Sequence, residues 1–210
     1  YIGIYPLKVV HGFNEGQIDW INASFHHLEK QGTRKWVGYS FAWIANMYAS
    51  AGRGDSALKH LRVFASNFVS PNSFHLNGDQ RGGEYSDDTG RPFTLEGNFA
   101  FAQGVHEMLL QSARGFIEVF PALPAEWKDV SFRNLLAEGG FLVSAEKENG
   151  VVTRLSVTAK KDGNVIIVKP RHFHTWIVEG IDPAKVELEE NFFRMKLKKG
   201  QTIIIKNGFE

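Results

Sequence analysis

Cysteine is absent from the 210 residues of this chain. Its absence excludes a disulfide scaffold, a thiol nucleophile and any metal site with thiolate ligands. It does not decide between cytoplasm and periplasm, so the compartment must be inferred from other features.

A strong net charge and long apolar runs are also missing. The formal net charge is +1, and the Lys and Arg residues are scattered among acids rather than gathered in a stripe. This pattern does not predict the basic surface that binds nucleic acid. No apolar run is long enough to cross a bilayer. We expect a soluble protein with neutral or weakly charged partners, neither nucleic acid nor membrane. No signal segment is visible and the first residue is Tyr1, so we expect the polypeptide to continue upstream.

Helical periodicity dominates the first half of the chain. Apolar residues at spacings of three and four predict helices over residues 15–30, from Trp36 to Gly52, and from Asp55, a candidate N-cap, to Ser70. A fourth helix is predicted to start after Thr94, also a candidate N-cap, and to end near Gly115. The polar stretch 72–90 before it is a long loop of the kind that is commonly functional.

The apolar period changes from 3.6 to 2 in the second half. Short alternating or β-branched runs, separated by turns such as Asn149-Gly150, predict antiparallel strands. The predicted strands are 116–120, 141–146, 151–158, 165–168, 176–178, 186–189, 192–197 and 202–205. Helices followed by strands indicate two segregated units, which we assign to residues 1–115 and 116–210, the second a β-sandwich. Four helices are too few for a closed helical toroid, so we expect further helices upstream.

Glu96 is the side chain that we single out, in the turn that feeds the fourth helix. A carboxylate in a first turn is stabilised by the helix dipole and by unpaired backbone N–H groups, and the helix holds it rigidly, as catalysis requires. The same position also suits an ordinary capping acid. Local pattern alone leaves both interpretations open.

Aromatic and amide side chains in the same half of the chain could form a sugar site with Glu96. Aromatic rings stack on the apolar face of sugars, although large apolar residues more often form the core. Glycosidic hydrolysis usually needs two groups that face each other across the sugar, and this chain shows one plausible member. The candidates for lining the site are Trp36, Trp43, His75, Asn77 and Asn98.

The histidines give no metal-binding pattern. His26 and His27 are adjacent on a helix and cannot face one ligand, and His172 and His174 alternate in a strand-like run. None has a partner at the i, i+4 spacing of a helical zinc site. A phosphate-binding glycine loop and a dinucleotide fingerprint are also missing, so we expect neither a metal nor a cofactor.

Several separate motifs carry a resemblance to a known family. They are Gly38-Tyr-Ser-Phe-Ala-Trp43, Phe93-Thr-Leu-Glu-Gly-Asn-Phe99, Glu107-Met-Leu-Leu-Gln-Ser112, Phe120-Pro-Ala-Leu-Pro124 with Trp127, and Glu138-Gly-Gly-Phe141. In order and spacing they resemble the C-terminal part of glycoside hydrolase family 95, the α-L-fucosidase and α-L-galactosidase group. The resemblance covers residues 1 to about 169.

The resemblance implies the closing helices of an (α/α)₆ barrel, then a C-terminal β-sandwich. It also implies inverting hydrolysis of an oligosaccharide or polysaccharide without a cofactor, in a periplasmic or secreted enzyme. In that family the acid of the F-x-x-D-G-N-F motif orients an asparagine that acts as general base, and a glutamate on an earlier helix is the general acid. The first role falls on Glu96, and the other groups lie upstream, so we expect the chain alone to be inactive.

One departure from the family motif keeps alternatives open. Glu96 stands where the family usually has aspartate, one methylene shorter, and a displacement of about 1 Å can cost on the order of a hundredfold in rate. A carbohydrate-binding or scaffold protein on a retired hydrolase fold is therefore a second hypothesis. A third is a related barrel enzyme such as a disaccharide phosphorylase.

Overall fold

The computed structural model describes residues 1–12, 15–170 and 175–208. The chain forms two compact units, Tyr1–Met108 with Pro121–Pro124, and Leu109–Phe120 with Ala125–Glu210. Residues 15–109 supply the α-helices and residues 110–207 supply the strands, which confirms the order of helices followed by antiparallel strands. The strand-like run around His172 and His174 lies outside the described residues.

The four helices of the first unit match the periodicity, with two corrections at their ends. They are α1 (Glu15–Gln31), α2 (Gly38–Ser50), α3 (Gly54–Asn67) and α4 (Leu95–Leu109). Asp55 is not the N-cap of α3, because the helix begins at Gly54 with Arg53 in the capping position. A Cβ at Gly54 would lie 2.3 Å from the backbone of Leu123, so this helix start needs glycine. The fourth helix ends before Gly115, since Leu110 and Gln111 enter a short strand.

The interior of the helical unit is built around α2, which is almost entirely buried. Phe41 on α2 packs against Phe68 at the end of α3, with ring centroids 4.9 Å apart. On α1, Phe25 stacks on Tyr48 of α2 at 4.1 Å. The apolar stripes that predicted these helices are therefore their contact faces.

The second unit consists of antiparallel sheets. Its strands are β1 (Leu110–Gln111), β2 (Glu118–Val119), β3 (Val130–Ala137), β4 (Phe141–Glu148), β5 (Val151–Ala159), β6 (Gly163–Val168), β7 (Trp176–Glu179), β8 (Glu187–Leu188), β9 (Phe192–Leu197) and β10 (Thr202–Asn207). The larger sheets have the orders β3-β4-β5-β10-β7 and β6-β9-β8, and β1 pairs with β2. Each of the eight predicted runs contains a strand.

Strand β3 was not predicted, and its geometry explains why. Its pairing with β4 shifts between Phe132 and Leu135, and Asn134 has a φ of +56°. A bulge of this kind breaks the alternation of inward and outward residues on which strand recognition depends. The two larger sheets share one apolar core, to which Leu155 and Ile203 contribute from one sheet and Ile167 and Phe193 from the other.

Bilayer-spanning helices are not found among residues 1–12, 15–170 and 175–208, where each helix is too short or too polar to cross a membrane.

Candidate active site

Glu96 lies in the first turn of α4, and its side chain is exposed. Within the described part of the chain its carboxylate makes no hydrogen bond and no ion pair. A capping acid would use its oxygens on backbone N–H groups. Glu96 therefore presents a carboxylate to the surface on a rigid element, available to a ligand or to another catalytic group.

His75 lies behind this turn, not on the surface. The side chain is 0% exposed, which is incompatible with the expected direct contact to a sugar. Its Nδ1 lies 2.7 Å from both the carbonyl oxygen and the hydroxyl oxygen of Thr94, the residue that directly precedes α4. Burial lowers the pKa of His75, against smaller opposing effects of the hydrogen bond to Thr94 and the charge of Glu96. The ring is a structural support for the turn that carries Glu96.

Asn98 fixes the same turn from its other side. Its Oδ1 accepts a hydrogen bond from the backbone N–H of His75 at 2.9 Å, and its Nδ2 donates to the carbonyl oxygen of Ser73 at 2.8 Å. Both ends of the amide are therefore used within the protein. The role of Asn98 in sugar binding stays a prediction, and it would require the same amide to bind the sugar while keeping these two hydrogen bonds.

Asn77 connects the segment before α4 to the start of α2. Its backbone N–H donates to the carbonyl oxygen of Pro92 at 3.1 Å, and its carbonyl oxygen accepts from the N–H of Gly38 at 2.9 Å. The side-chain amide is half-buried and forms no hydrogen bond with the described residues. Its donors and acceptor are thus open to a polar ligand.

Two phenylalanine rings form an exposed aromatic pair close in sequence to the Glu96 turn. Phe74 and Phe93 are each 50% exposed, and their ring centroids lie 4.9 Å apart. Leu76, beside Phe74, forms an isolated β-bridge with Phe93, which fixes the two segments together. Phe99, one turn into α4, is 65% exposed. These rings offer an apolar surface of the kind that stacks on sugars.

The two predicted tryptophans differ in their surroundings. Trp36 is half-buried and packs edge-on against Phe41 at 5.2 Å, so part of its ring belongs to the core between α2 and α3. Trp43 is half-buried on α2 and makes no ring contact with the described residues. The structure brings together His75, Asn98 and the Glu96 turn through hydrogen bonds, and the tryptophans remain separate candidates.

The loop before α4 is organised around one buried carboxylate. Asp79 is 1% exposed, its Oδ1 accepts from the N–H of Arg81 at 2.8 Å, and its Oδ2 accepts from the N–H of Tyr85 at 2.7 Å. Burial raises the pKa of Asp79, but these hydrogen bonds outweigh it and lower the pKa overall. The carboxylate thus stays charged and holds the polar loop in one conformation.

The buried ion pair between Lys8 and Glu107 joins two segments that are far apart in the sequence. Lys8 Nζ lies 2.6 Å from Glu107 Oε1, which also accepts from Gln103 Nε2 at 2.9 Å. Burial raises the pKa of nearby Tyr5 to about 12, with a further contribution from the charge of Glu107. The i, i+4 spacing of Gln103 and Glu107 on α4 was visible in the sequence, but the distant partner Lys8 was not.

Metal ligands do not cluster in the described ranges, where no three His, Asp or Glu side chains come together.

An exposed carboxylate at a helix start and exposed aromatic rings in the same unit are features that carbohydrate-active proteins use. The chain belongs to glycoside hydrolase family 95. The glycosyl hydrolase family 95 catalytic domain matches residues 1–109, and the C-terminal domain of the family matches residues 111–205. The resemblance that the sequence motifs indicated is thereby confirmed.

One curated relative and one solved structure are similar to the chain. Alpha-L-fucosidase 2 of Arabidopsis thaliana is 34% identical over 128 residues, which cover 59% of this chain and 14% of the relative. The chain therefore spans about one seventh of the length of that relative. A GH127 beta-L-arabinofuranosidase from Geobacillus stearothermophilus T6 is 9% identical, with a TM-score of 0.29 over 77% of this chain and 28% of the other. A structural likeness this weak carries no argument about fold or function.

Proposed function

We propose that this chain is part of a glycoside hydrolase that releases an α-linked L-fucose-type sugar with inversion. Family membership and the similarity to an alpha-L-fucosidase support this function. The helical unit would form the closing helices of an (α/α)₆ barrel, and the sheets would form the β-sandwich domain. Because the chain spans a small part of its relative, the activity belongs to a longer polypeptide, and we expect the chain alone to be inactive.

The exposed carboxylate of Glu96, without a hydrogen-bond partner in the described residues, carries this proposal. In the proposed mechanism it takes the place of the family aspartate, and it orients an asparagine of the upstream chain that acts as general base. The upstream chain also supplies the general acid. The Asn77 side chain and the rings of Phe74 and Phe93 would bind the sugar, an oligosaccharide or polysaccharide unit met in the periplasm or outside the cell.

Sugar release by the polypeptide that includes the upstream segment tests the proposal. The substrates are matched oligosaccharides with terminal α-linked L-fucose, L-galactose or L-rhamnose. We expect release of one of these sugars, with the β-anomer as the first product. Phosphate-dependent formation of a sugar phosphate would instead identify a phosphorylase.

A non-catalytic carbohydrate-binding protein is the second candidate. The substitution of glutamate for the family aspartate favours it, because the longer side chain displaces the carboxylate by about one C–C bond. The exposed Phe74 and Phe93 pair could bind a sugar without any chemistry. Saturable binding of the same oligosaccharides by a folded parent polypeptide, with no release from any of them, would establish this alternative.

A further inference from the structure

The imidazole ring of His75 lies between the starts of two helices. A Cβ added at Gly38, the first residue of α2, would lie 2.3 Å from His75 Nε2. A Cβ added at Gly97, in the first turn of α4, would lie 2.2 Å from His75 Nδ1. Both helices approach the ring more closely than any other residue type permits. The ring therefore fills the space between the two helix starts.

The protonation state of the ring follows from its partners. A carbonyl oxygen can only accept, so the 2.7 Å contact with Thr94 places the proton on Nδ1. Nε2 is buried and has no hydrogen-bond partner. Helix starts carry partial positive charge, so a second proton would add a cation between two positive ends without an acceptor. Glu96 is the charged group whose field acts on the ring, and it favours the cation too weakly to reverse this.

The ring is also connected to both sides of the Glu96 turn. Thr94, two residues before Glu96, contacts Nδ1 through two oxygens, and its N–H lies 3.4 Å from the carbonyl oxygen of His75. Asn98, two residues after Glu96, accepts from the His75 backbone N–H. One buried residue thus fixes the direction in which the intervening carboxylate leaves the helix.

We propose that His75 is a positioning residue, a neutral wedge protonated on Nδ1 that locks the first turn of α4 against the start of α2 and so aims the Glu96 carboxylate. The evidence for this wedge consists of contacts within this chain. Its effect on hydrolysis rests on the function proposed above for Glu96.

The wedge itself is tested by ¹⁵N–¹H correlation spectra of the histidine rings in the longer polypeptide that contains this chain. We expect the His75 ring to be neutral and protonated on Nδ1 at pH 7, and to remain neutral as pH falls through 6.5, the ordinary pKa of histidine. An Nε2-protonated ring, or a charged ring at about pH 6, would overturn the proposal whatever the enzymatic activity.

A double-mutant cycle tests the packing of the wedge. Gly97→Ala should lower the urea midpoint of unfolding in the native background, because the new methyl group and the ring cannot share the space. In a His75→Ser background the same substitution should have little effect, since the ring is gone. Equal effects in both backgrounds would show that His75 does not fill this space.

The positioning role is tested by kinetics of the longer polypeptide. We expect His75→Gln, which removes the donor at the Nδ1 position, to lower kcat by about a hundredfold with KM nearly unchanged. His75→Asn, which keeps an N–H donor there, should restore most of kcat. Lower thermal stability with unchanged kcat in both variants would reduce His75 to a packing residue. Absence of hydrolysis in the unmutated polypeptide would contradict the proposed function instead. The histidine spectra and the double-mutant cycle would still show whether His75 is the neutral wedge proposed here.

Discussion

The helical unit and the sheet unit differ in what they bury. In the described part of the chain, every buried polar or charged residue except Gln111 lies in the helical unit. These residues are Asn46, Ser50, Asn67, His75, Asp79, Ser86 and Glu107. Among the residues that the structure describes, the exposed large aromatic side chains also belong to the helical unit, and they are Tyr1, Trp20, Tyr39, Phe74, Phe93 and Phe99. The sheet unit instead closes over an apolar core.

The helical unit uses buried polar groups to position other residues, whereas the sheet unit is held together by apolar packing. A buried polar group destabilises a fold unless it is paired, so a unit that keeps many of them uses its interior to hold particular groups in place. His75 and Asp79 do this for the Glu96 turn and for the loop before it. Among its described residues the sheet unit buries only Gln111 of this kind, and its interior is a packed apolar core.

The largest expected difference is between a buried and an exposed phenylalanine. Phe193 in the sheet unit is 0% exposed and packs edge-on against Trp176 at 5.0 Å. We expect Phe193→Ala to lower the free energy of unfolding by about 3–5 kcal/mol, measured by urea denaturation. Phe99→Ala in the helical unit should change it by less than about 0.5 kcal/mol. A loss of similar size for Phe99 would contradict its assignment to a ligand-facing surface.

A smaller difference is expected between two ion pairs. Lys8 and Glu107 form a pair in which both side chains are largely buried, whereas Lys206 and Glu179 pair on the exposed face of β10 and β7. Lys8→Met should cost about 3 kcal/mol, because it removes the cation that lies 2.6 Å from a buried carboxylate oxygen. Lys206→Met should cost no more than about 1 kcal/mol. Equal losses in thermal or urea unfolding would show that the helical unit does not depend on its buried charges.

The smallest of these effects concerns Asp79 and depends on pH. We expect Asp79→Asn to lower the free energy of unfolding at pH 7 by about 1–3 kcal/mol, because the charged acceptor of the Arg81 and Tyr85 N–H groups is lost. Since the folded pKa lies below the ordinary 3.8, this contribution is fully present above pH 3.8 and disappears as pH falls through the folded pKa.

The matched control is Asp87→Asn, because Asp87 is exposed and pairs with Arg34 and Lys35 at the surface. Its effect should stay below about 1 kcal/mol. Urea midpoints of both variants, measured from pH 7 to below pH 3.8, make the comparison. A difference between Asp79→Asn and the unmutated protein that does not begin to shrink below pH 3.8 would be inconsistent with a folded-state pKa below that value.

Periodicity predicted most of the fold because most of the elements bury one regular face. Helices α1 and α3 and strands β4, β5, β6, β9 and β10 follow that rule, whereas Phe99 of α4 and both residues of β8 are exposed. Turns such as Asn149-Gly150 adopt the positive φ angles that the dipeptide favours. The bulged strand β3 departs from alternation and was missed. The end of α4 at Leu109 was also missed, because pairing of β1 with β2 overrides the apolar pattern that continues beyond it.

The sequence predicted those features of the candidate site that depend on neighbouring residues in the chain. The position of Glu96 at a helix start followed from the sequence, but the placement of His75 did not, because contacts with Gly38 and Gly97 join three distant segments. The polar surroundings of His75 suggested a surface residue, whereas the structure buries it. The sequence indicated turn or motif positions for Gly38 and Gly97. It did not show that the imidazole ring of His75 lies between them.

The central claim is that Glu96 supports catalysis by orienting the general base and is not a helix cap. It is tested most directly by kcat for sugar release by the longer polypeptide carrying Glu96→Gln. The substitution keeps the size of the side chain and removes its charge. We expect kcat to fall by about 10²–10⁴-fold with unchanged thermal stability. Full kcat, or a stability loss that accounts for the whole effect, would contradict the claim.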